Sequence, residues 1–135
     1  MAQEDLEAFR RGSDAYNRFD VQALLEVLDP DVEWHDALQV MLGGQATTVQ
    51  GHDGVRALMQ DHEEAFGVLE TEFSDVRDLG SQLVALGVIR SRGRESGIEI
   101  ESPFGAVVDF RAGKAIRVRT FLDPGEALKA AGLEG

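Results

Sequence analysis

The sequence predicts an α+β domain in which helices come first and an antiparallel sheet follows. Apolar residues recur every three or four positions through the first third of the chain. After Gly67 the apolar pattern changes to period two and keeps that period to residue 122. A capped helix closes the chain, and 135 residues suffice for one domain, residues 1–135, with a sizeable core. We therefore predict three N-terminal helices packed on a curved antiparallel sheet, with a short C-terminal helix.

Each predicted helix has an apolar face and a recognisable boundary. One face of the first helix carries Leu6, Phe9, Ser13 and Tyr16. Asp20 is the predicted N-cap of the second helix, which Pro30 ends, and the apolar stripe of this helix is Val21, Leu24, Leu25 and Leu28. The third helix starts at residues 51–54, with a buried stripe of Val55, Leu58, Met59, His62 and Phe66. Asp123 caps the last helix, with Pro124 at its first position.

The period-two segments predict a sheet with short connections. A strand at 32–36, a loop at 37–46 and a brief strand at 47–50 precede the third helix. Four successive strands are predicted at 68–78, 82–94, 97–110 and 114–122. The turn at residues 111–113 fits a three-residue hairpin with Gly113 in the left-handed conformation. That register pairs Phe110 with Lys114, Val108 with Ile116, and Ala106 with Val118.

Composition excludes several classes of function. The formal net charge of −12 opposes binding to nucleic-acid phosphates and to anionic membrane surfaces. The chain has no cysteine, which rules out disulfides and thiolate sites. It has no signal-peptide pattern and no apolar run long enough to span a membrane, so we expect a cytoplasmic protein. No phosphate loop, metal-ligand spacing or nucleophile motif is present, so we expect neither cofactor nor metal.

The segment from Val32 to Asp36 gathers more acid–base groups than any other part of the sequence. Strand alternation places Val32, Trp34 and Asp36 on one face, with Glu33 and His35 on the other. If the first set faces a pocket, Asp36 lies beside an indole ring, and loss of water contact would make it a stronger base. The alternative interpretation is a solvated carboxylate at a strand end.

Four segments resemble the nuclear transport factor 2-like superfamily, and within it the SnoaL-like and ketosteroid-isomerase-related group. These segments are residues 16–20, 29–36, 51–56 and 110–114. The resemblance implies a cone-shaped (cystatin-like) domain, a pocket between helices and sheet, and homodimers formed through the outer face of the sheet. Asp36 falls where the ketosteroid isomerases keep their general base. Their oxyanion-hole donors fall near Gly12 and Ala106, so both donors are missing here.

Three further side chains are candidate partners of Asp36. His62 lies on the apolar stripe of the third helix, Tyr16 on that of the first, and Arg90 shares strand parity with the apolar residues before it. Each also has a structural interpretation, as a core histidine, a helix anchor or a solvated arginine. His35, Asp36 and His62 match no known metal-ligand spacing. The residues predicted to contact substrate are Trp34, Met59, Phe66, Leu86, Val88, Phe104, Val108, Val118 and Thr120.

These residues favour an acid–base isomerase, cyclase or dehydratase for a small apolar carbonyl compound, with Asp36 as base. One alternative is a non-catalytic small-molecule binding domain. A second is water activation of the epoxide-hydrolase type, in which Asp36 pairs with Arg90. A third is a plain dimeric interaction module. We expect a homodimer whose outer sheet face includes Arg117, Arg119 and Phe121, with Asp109 and Arg117 as a cross-strand ion pair.

Overall fold

The computed structural model describes residues 1–133, which form α-helices and one mixed sheet. The helices are α1 (Gln3–Asn17), α2 (Val21–Glu26), α3 (Gly51–Ala65) and α4 (Pro124–Ala130), with a short 3-10 helix at Leu38–Leu42. The strands are β1 (Leu28–Asp36), β2 (Thr47–Gln50), β3 (Phe66–Asp78), β4 (Gln82–Gly93), β5 (Glu99–Arg111) and β6 (Lys114–Phe121). In the described residues they form one sheet in the order β2-β1-β6-β5-β4-β3.

The α+β class is confirmed, but the helices are arranged differently from the prediction. Only α1 and α2 precede the first strand, because α2 ends at Glu26 and Leu28 already belongs to β1. Pro30 therefore lies inside β1 and does not end a helix. The strand tolerates it because the pairing with β6 is interrupted between Leu28 and Glu33, where no ladder hydrogen bond needs the missing N–H.

Two predicted helix caps are confirmed. The Asp20 side chain accepts a hydrogen bond from the backbone N–H of Ala23, at 3.1 Å, at the start of α2. Asp123 accepts one from Gly125 at the start of α4, with Pro124 at the first position. None of the helices in residues 1–133 is long and apolar enough to cross a membrane.

The sheet is not purely antiparallel. The meander from β3 to β6 is antiparallel as predicted, but β1 runs parallel to β6 and antiparallel to β2. Since β1 lies between β2 and β6, it is hydrogen-bonded along both of its edges. This position brings Trp34 opposite Val118 on the face that the helices cover.

The predicted hairpin between β5 and β6 is wrong in register. The turn has two residues, Ala112 and Gly113, both with positive φ (51° and 79°), instead of three. A bulge then shifts the pairing between Asp109 and Phe110. As a result Val108 pairs with Val118, and Ala106 pairs with Thr120.

The predicted orientation of β4 is also wrong. Leu83, Ala85 and Ile89 face the main core, whereas Val84 packs on the outer face against Val107 of β5 and Ala127 of α4. Both sets are apolar because α4 covers part of the outer face, so the strand has no polar side that would reveal its parity. The residues that share the parity of Val84 therefore lie on the outer face: Leu86, Val88 and Arg90.

Candidate functional site

An apolar cavity of about 80 Å³ lies between α1, α2 and the inner face of the sheet. That volume is several times the roughly 10–15 Å³ that one water molecule needs. None of its lining residues is charged, and its few polar groups are hydroxyls and the indole of Trp34. The lining consists of Ala8, Phe9, Gly12, Ser13, Tyr16, Leu24, Val27, Leu28, Trp34, Thr71, Phe73, Phe104, Ala106, Val108, Phe110, Ala115, Val118 and Thr120. Such a cavity suits a small neutral molecule.

Asp36 and His62 form a buried pair outside the lining of this cavity. His62 Nε2 lies 3.3 Å from Asp36 Oδ2, and the relative exposure of the two residues is 0% and 1%. The backbone N–H of Leu38, in the 3-10 helix, donates to the same Oδ2 at 3.1 Å. Asp36 Oδ1 and His62 Nδ1 are buried without a hydrogen-bond partner. A buried polar atom without a partner is costly, which is typical of a site that completes itself with a ligand.

Tyr16 of α1 and Trp34 of β1 are two aromatic residues of the cavity wall. Their rings are stacked, with centroids 6.3 Å apart and an interplanar angle of 13°. Tyr16 also meets the His62 ring edge to face, at 6.5 Å. Both aromatic residues line the cavity, whereas Asp36 and His62 do not. Tyr16 therefore connects the cavity wall with the buried pair through its contact with His62.

The pKa of Tyr16 is raised well above its usual value near 10, first by burial of the phenol and second by the negative charge of Asp36. The hydroxyl therefore stays protonated throughout the neutral range and can only act there as a hydrogen-bond group. Tyr16 is one helical turn after Gly12, the position that matches the missing oxyanion-hole tyrosine, and both residues line the cavity. Tyr16 thus supplies a phenol one turn further along α1.

The chain has a single tyrosine, so its titration can be followed directly. We expect phenolate absorbance to appear at higher pH in the folded protein than in the unfolded chain. Because the pKa of folded Tyr16 is raised, its contribution to stability is fully present below about pH 10 and is lost as pH rises towards the folded pKa. In Tyr16→Phe the free energy of unfolding should not show this decrease as the pH rises. A phenol that titrates near pH 10 in the folded protein would contradict this expectation.

The structure brings together some of the residues predicted from the sequence. Those that line the cavity are Tyr16, Trp34, Phe104, Val108, Val118 and Thr120. Met59 and Phe66 are buried but do not line it, and Phe66 instead packs edge to face against His62. Leu86 and Val88 belong to the outer face of the sheet, so the prediction that they contact a ligand in the pocket is wrong.

Arg90 does not enter the cavity. It lies on the outer face with its side chain 42% exposed and pairs with Glu72 at 2.6 Å and Glu101 at 3.8 Å. The hydrogen bond that Arg90 donates to Glu72, and the negative charge of Glu72, raise the pKa of Arg90. The proposed partnership of Arg90 with Asp36 is therefore wrong, because β4 has the opposite parity to the one predicted.

His35 points to the outer face, as strand alternation predicts. Its Nδ1 lies 3.0 Å from the Thr48 hydroxyl, and its Nε2 lies 3.3 Å from a Glu33 carboxylate oxygen. Arg117 stands opposite Asp109, but its Nε is 3.6 Å from Glu33, while Asp109 accepts a hydrogen bond from Gln82. The expected Asp109–Arg117 ion pair is thus replaced by two other contacts.

Sequence reasoning missed most of the cavity wall. Helix α2 supplies Leu24 and Val27, β3 supplies Thr71 and Phe73, and these positions look like ordinary core in the sequence. The one usable signal was the phase of β3, in which Leu69, Thr71 and Phe73 share a face. Leu38 was also missed, since a backbone donor carries no sequence signature.

This combination of α1–α2, a curved sheet and an apolar cavity between them is that of the nuclear transport factor 2-like class of domain. The model of the SnoaL-like domain family matches residues 9–118, and the chain belongs to that family. No curated protein matches the chain.

Solved structures share the fold over nearly the whole chain. A nuclear transport factor 2-like protein of unknown function from Burkholderia pseudomallei K96243 is 24% identical, with a TM-score of 0.78 and coverage of 95% of this chain and 97% of that one. TerC, co-crystallized with polyporic acid, is 21% identical, with a TM-score of 0.79 and coverage of 97% and 98%. A protein with a ketosteroid isomerase-like fold from Catenulispora acidiphila DSM 44928, in complex with trimethylamine, is 12% identical, with a TM-score of 0.76 and coverage of 94% and 93%.

Proposed function

We propose that this protein is an acid–base enzyme, an isomerase, cyclase or dehydratase, for a small neutral carbonyl compound. The observation that carries the proposal is a buried carboxylate, Asp36, with one unpaired oxygen, whose partner His62 contacts Tyr16 in the wall of an apolar cavity. Membership of the SnoaL-like family and the ligand-bound structural neighbours support a small-molecule ligand.

In this proposal each polar group has a role. Asp36 takes a proton from the carbon next to the carbonyl group, and that proton returns to another position of the substrate, so that none is gained or lost overall. The Tyr16 hydroxyl donates a hydrogen bond to the carbonyl oxygen as negative charge develops there. Its raised pKa keeps it in the donating form. Tyr16 lines the cavity and also contacts the His62 ring, so a substrate that accepts its hydrogen bond lies close to the buried pair.

Exchange of substrate protons for deuterium tests this proposal without knowledge of the natural substrate. Cyclopentanone and 1-indanone are neutral ketones of two sizes, and proton NMR in D₂O follows the loss of the protons next to their carbonyl groups. We expect the protein to accelerate this exchange above the buffer rate. No acceleration for either ketone, together with no binding, would contradict the proposal.

A second candidate is a binding domain without catalysis. The observation that favours it is the absence of Asp36 from the cavity wall. The chain has one tryptophan, Trp34, which lines the cavity, so its fluorescence reports occupancy. A ketone that changes Trp34 fluorescence but shows no accelerated exchange would favour binding alone. Water activation with Arg90 has no structural support, because Arg90 pairs with acids on the outer face.

We also infer that the chain forms a homodimer through the outer face of β1 and β6. Phe121 packs against the outer apolar cluster of Val84, Val107 and Ala127. The remaining part of this face is therefore centred on Arg117 and Arg119. The Nε atoms of both arginines are buried without hydrogen-bond partners. Burial, followed by the like charge of Arg117, lowers the pKa of Arg119, and an acidic group of a second copy would relieve both effects.

Charge reversal tests this interface. Sedimentation equilibrium should give a dimer mass for the wild-type protein and a monomer mass for Arg119→Glu, because the reversed charge repels the acids of the second copy. Arg77→Glu is the matched control, since Arg77 pairs with Asp75 on the opposite edge strand. A monomeric wild-type protein would contradict the inference.

A further inference from the structure

The two oxygens of the Asp36 carboxylate have different surroundings. Oδ2 has both donors, His62 Nε2 at 3.3 Å and the Leu38 N–H at 3.1 Å. Oδ1 has no hydrogen-bond partner, although it is buried. Hydrogen bonds to one oxygen leave the other as the atom with free lone pairs. The geometry therefore distinguishes a held oxygen from a free one.

The same contacts fix the tautomer of His62. The Leu38 N–H can only donate, so Oδ2 is an acceptor in that bond. In the proposed function Asp36 is an ionised base whose oxygens only accept, so the contact with His62 is a hydrogen bond only if the proton is on Nε2. The partnerless Nδ1 is then the lone-pair nitrogen of the ring.

Aromatic side chains hold the His62 ring in this orientation. Tyr16 and Phe66 both contact it edge to face, with centroids 6.5 Å away in each case. The ring is completely buried on α3, so it has no alternative solvent-facing position. Two elements distant in sequence, α3 and the 3-10 helix, therefore pin one oxygen of a carboxylate that β1 supplies.

We infer that His62 is a positioning residue, which holds Asp36 through Oδ2 so that Oδ1 is the oxygen that accepts the substrate proton. This inference rests on the proposed function, in which Asp36 is the base. His62 does not touch the substrate and gives up no proton. Its contribution is orientation, and misplacement of a reacting group by about 1 Å can cost on the order of 10²-fold in rate.

The first test is the tautomer of His62, which requires no substrate. The chain has three histidines, so long-range proton–nitrogen NMR correlations can be assigned ring by ring, with His52→Gln and the wild type compared. We expect Nε2 of His62 to give a pyrrole-type signal and Nδ1 a pyridine-type signal. A proton on Nδ1 with none on Nε2 would overturn the inference, whatever the activity of the protein.

The second test distinguishes the effect of a hydrogen-bond donor at position 62 from the effect of side-chain volume. His62→Gln retains an N–H near the position of Nε2, whereas His62→Leu fills the space without a donor. In ketone proton exchange we expect His62→Leu to lose on the order of 10²-fold in kcat with little change in KM, and His62→Gln to recover most of it. His52→Gln is the control, since His52 is on the same helix and does not line the cavity, and the hydrogen bond of its ring is to the backbone carbonyl of Leu28.

Equal rates for folded His62→Gln and His62→Leu would overturn the positioning role. Failure of the proposed function would look different. The wild-type protein would then not accelerate ketone proton exchange, although His62 would still carry its proton on Nε2. If His62→Leu does not fold, the tautomer of His62 and the exchange rate of His62→Gln still test the positioning role. The positioning role would also be contradicted if folded His62→Gln lost as much ketone exchange activity as Asp36→Asn.

Discussion

Replacement of Asp36 by Asn is expected to reduce ketone proton exchange by about 10²–10⁴-fold, the usual contribution of a positioned general base. Asparagine has nearly the same shape, and its carbonyl oxygen can accept the hydrogen bonds that Leu38 and His62 donate to Oδ2. Its amide group then occupies the place of Oδ1 and cannot take up a proton from carbon. The loss should therefore appear in kcat, with the fold unchanged.

Asp109→Asn is the matched control for this variant. Asp109 is a half-buried carboxylate that accepts a hydrogen bond from Gln82 on the outer face, so its replacement should leave exchange unchanged. The same Asp36→Asn protein offers an internal check, because the charge of Asp36 is the second cause of the raised pKa of Tyr16. The phenol should titrate at lower pH in Asp36→Asn than in the wild type. Full exchange activity in Asp36→Asn would show that another group is the base.

Strand alternation was sufficient to predict the site's central strand but not its partners. In β1 every second residue from Val32 to Asp36 is buried, because one face meets the helices and the other carries polar contacts. This contrast made the parity of β1 visible in the sequence. The contact of Asp36 with His62 joins residues 26 positions apart, and only the packing of α3 against β1 creates it.

The errors have a common physical origin in elements that are apolar on both sides. Strand β4 carries Val84 on one face and Ala85 on the other, both fully buried, because α4 packs where the sequence pattern predicted solvent. Arg90 was consequently placed on the wrong face. In the hairpin, Ala112 adopts a left-handed conformation, which is rare for alanine. The residue type therefore gave no indication of it, and the turn was predicted one residue too long.

Gly87→Ala is expected to destabilise the fold by about 3 kcal/mol or more, at or above the upper end of the usual cost of overpacking. Gly87 is paired with Phe73 on β3 and Phe104 on β5. A Cβ at this position would overlap the Glu72 carbonyl oxygen and lie 2.8 Å from the Phe73 Cα, so the backbone of β3 would have to move. Urea unfolding measures the change in the free energy of unfolding.

The absence of a side chain at position 87 has a consequence for the cavity. Phe73 and Phe104 flank Gly87 on the inner face, and their rings approach to 6.1 Å and form part of the cavity wall. The neighbouring bulge between Phe73 and Asp75 bends β3 at the same place. Gly67→Ala is the control, because a Cβ there meets nothing closer than 4.0 Å and should change stability by no more than about 0.5 kcal/mol. Equal stability of the two alanine variants would mean that β3 can shift away from Gly87 at little cost.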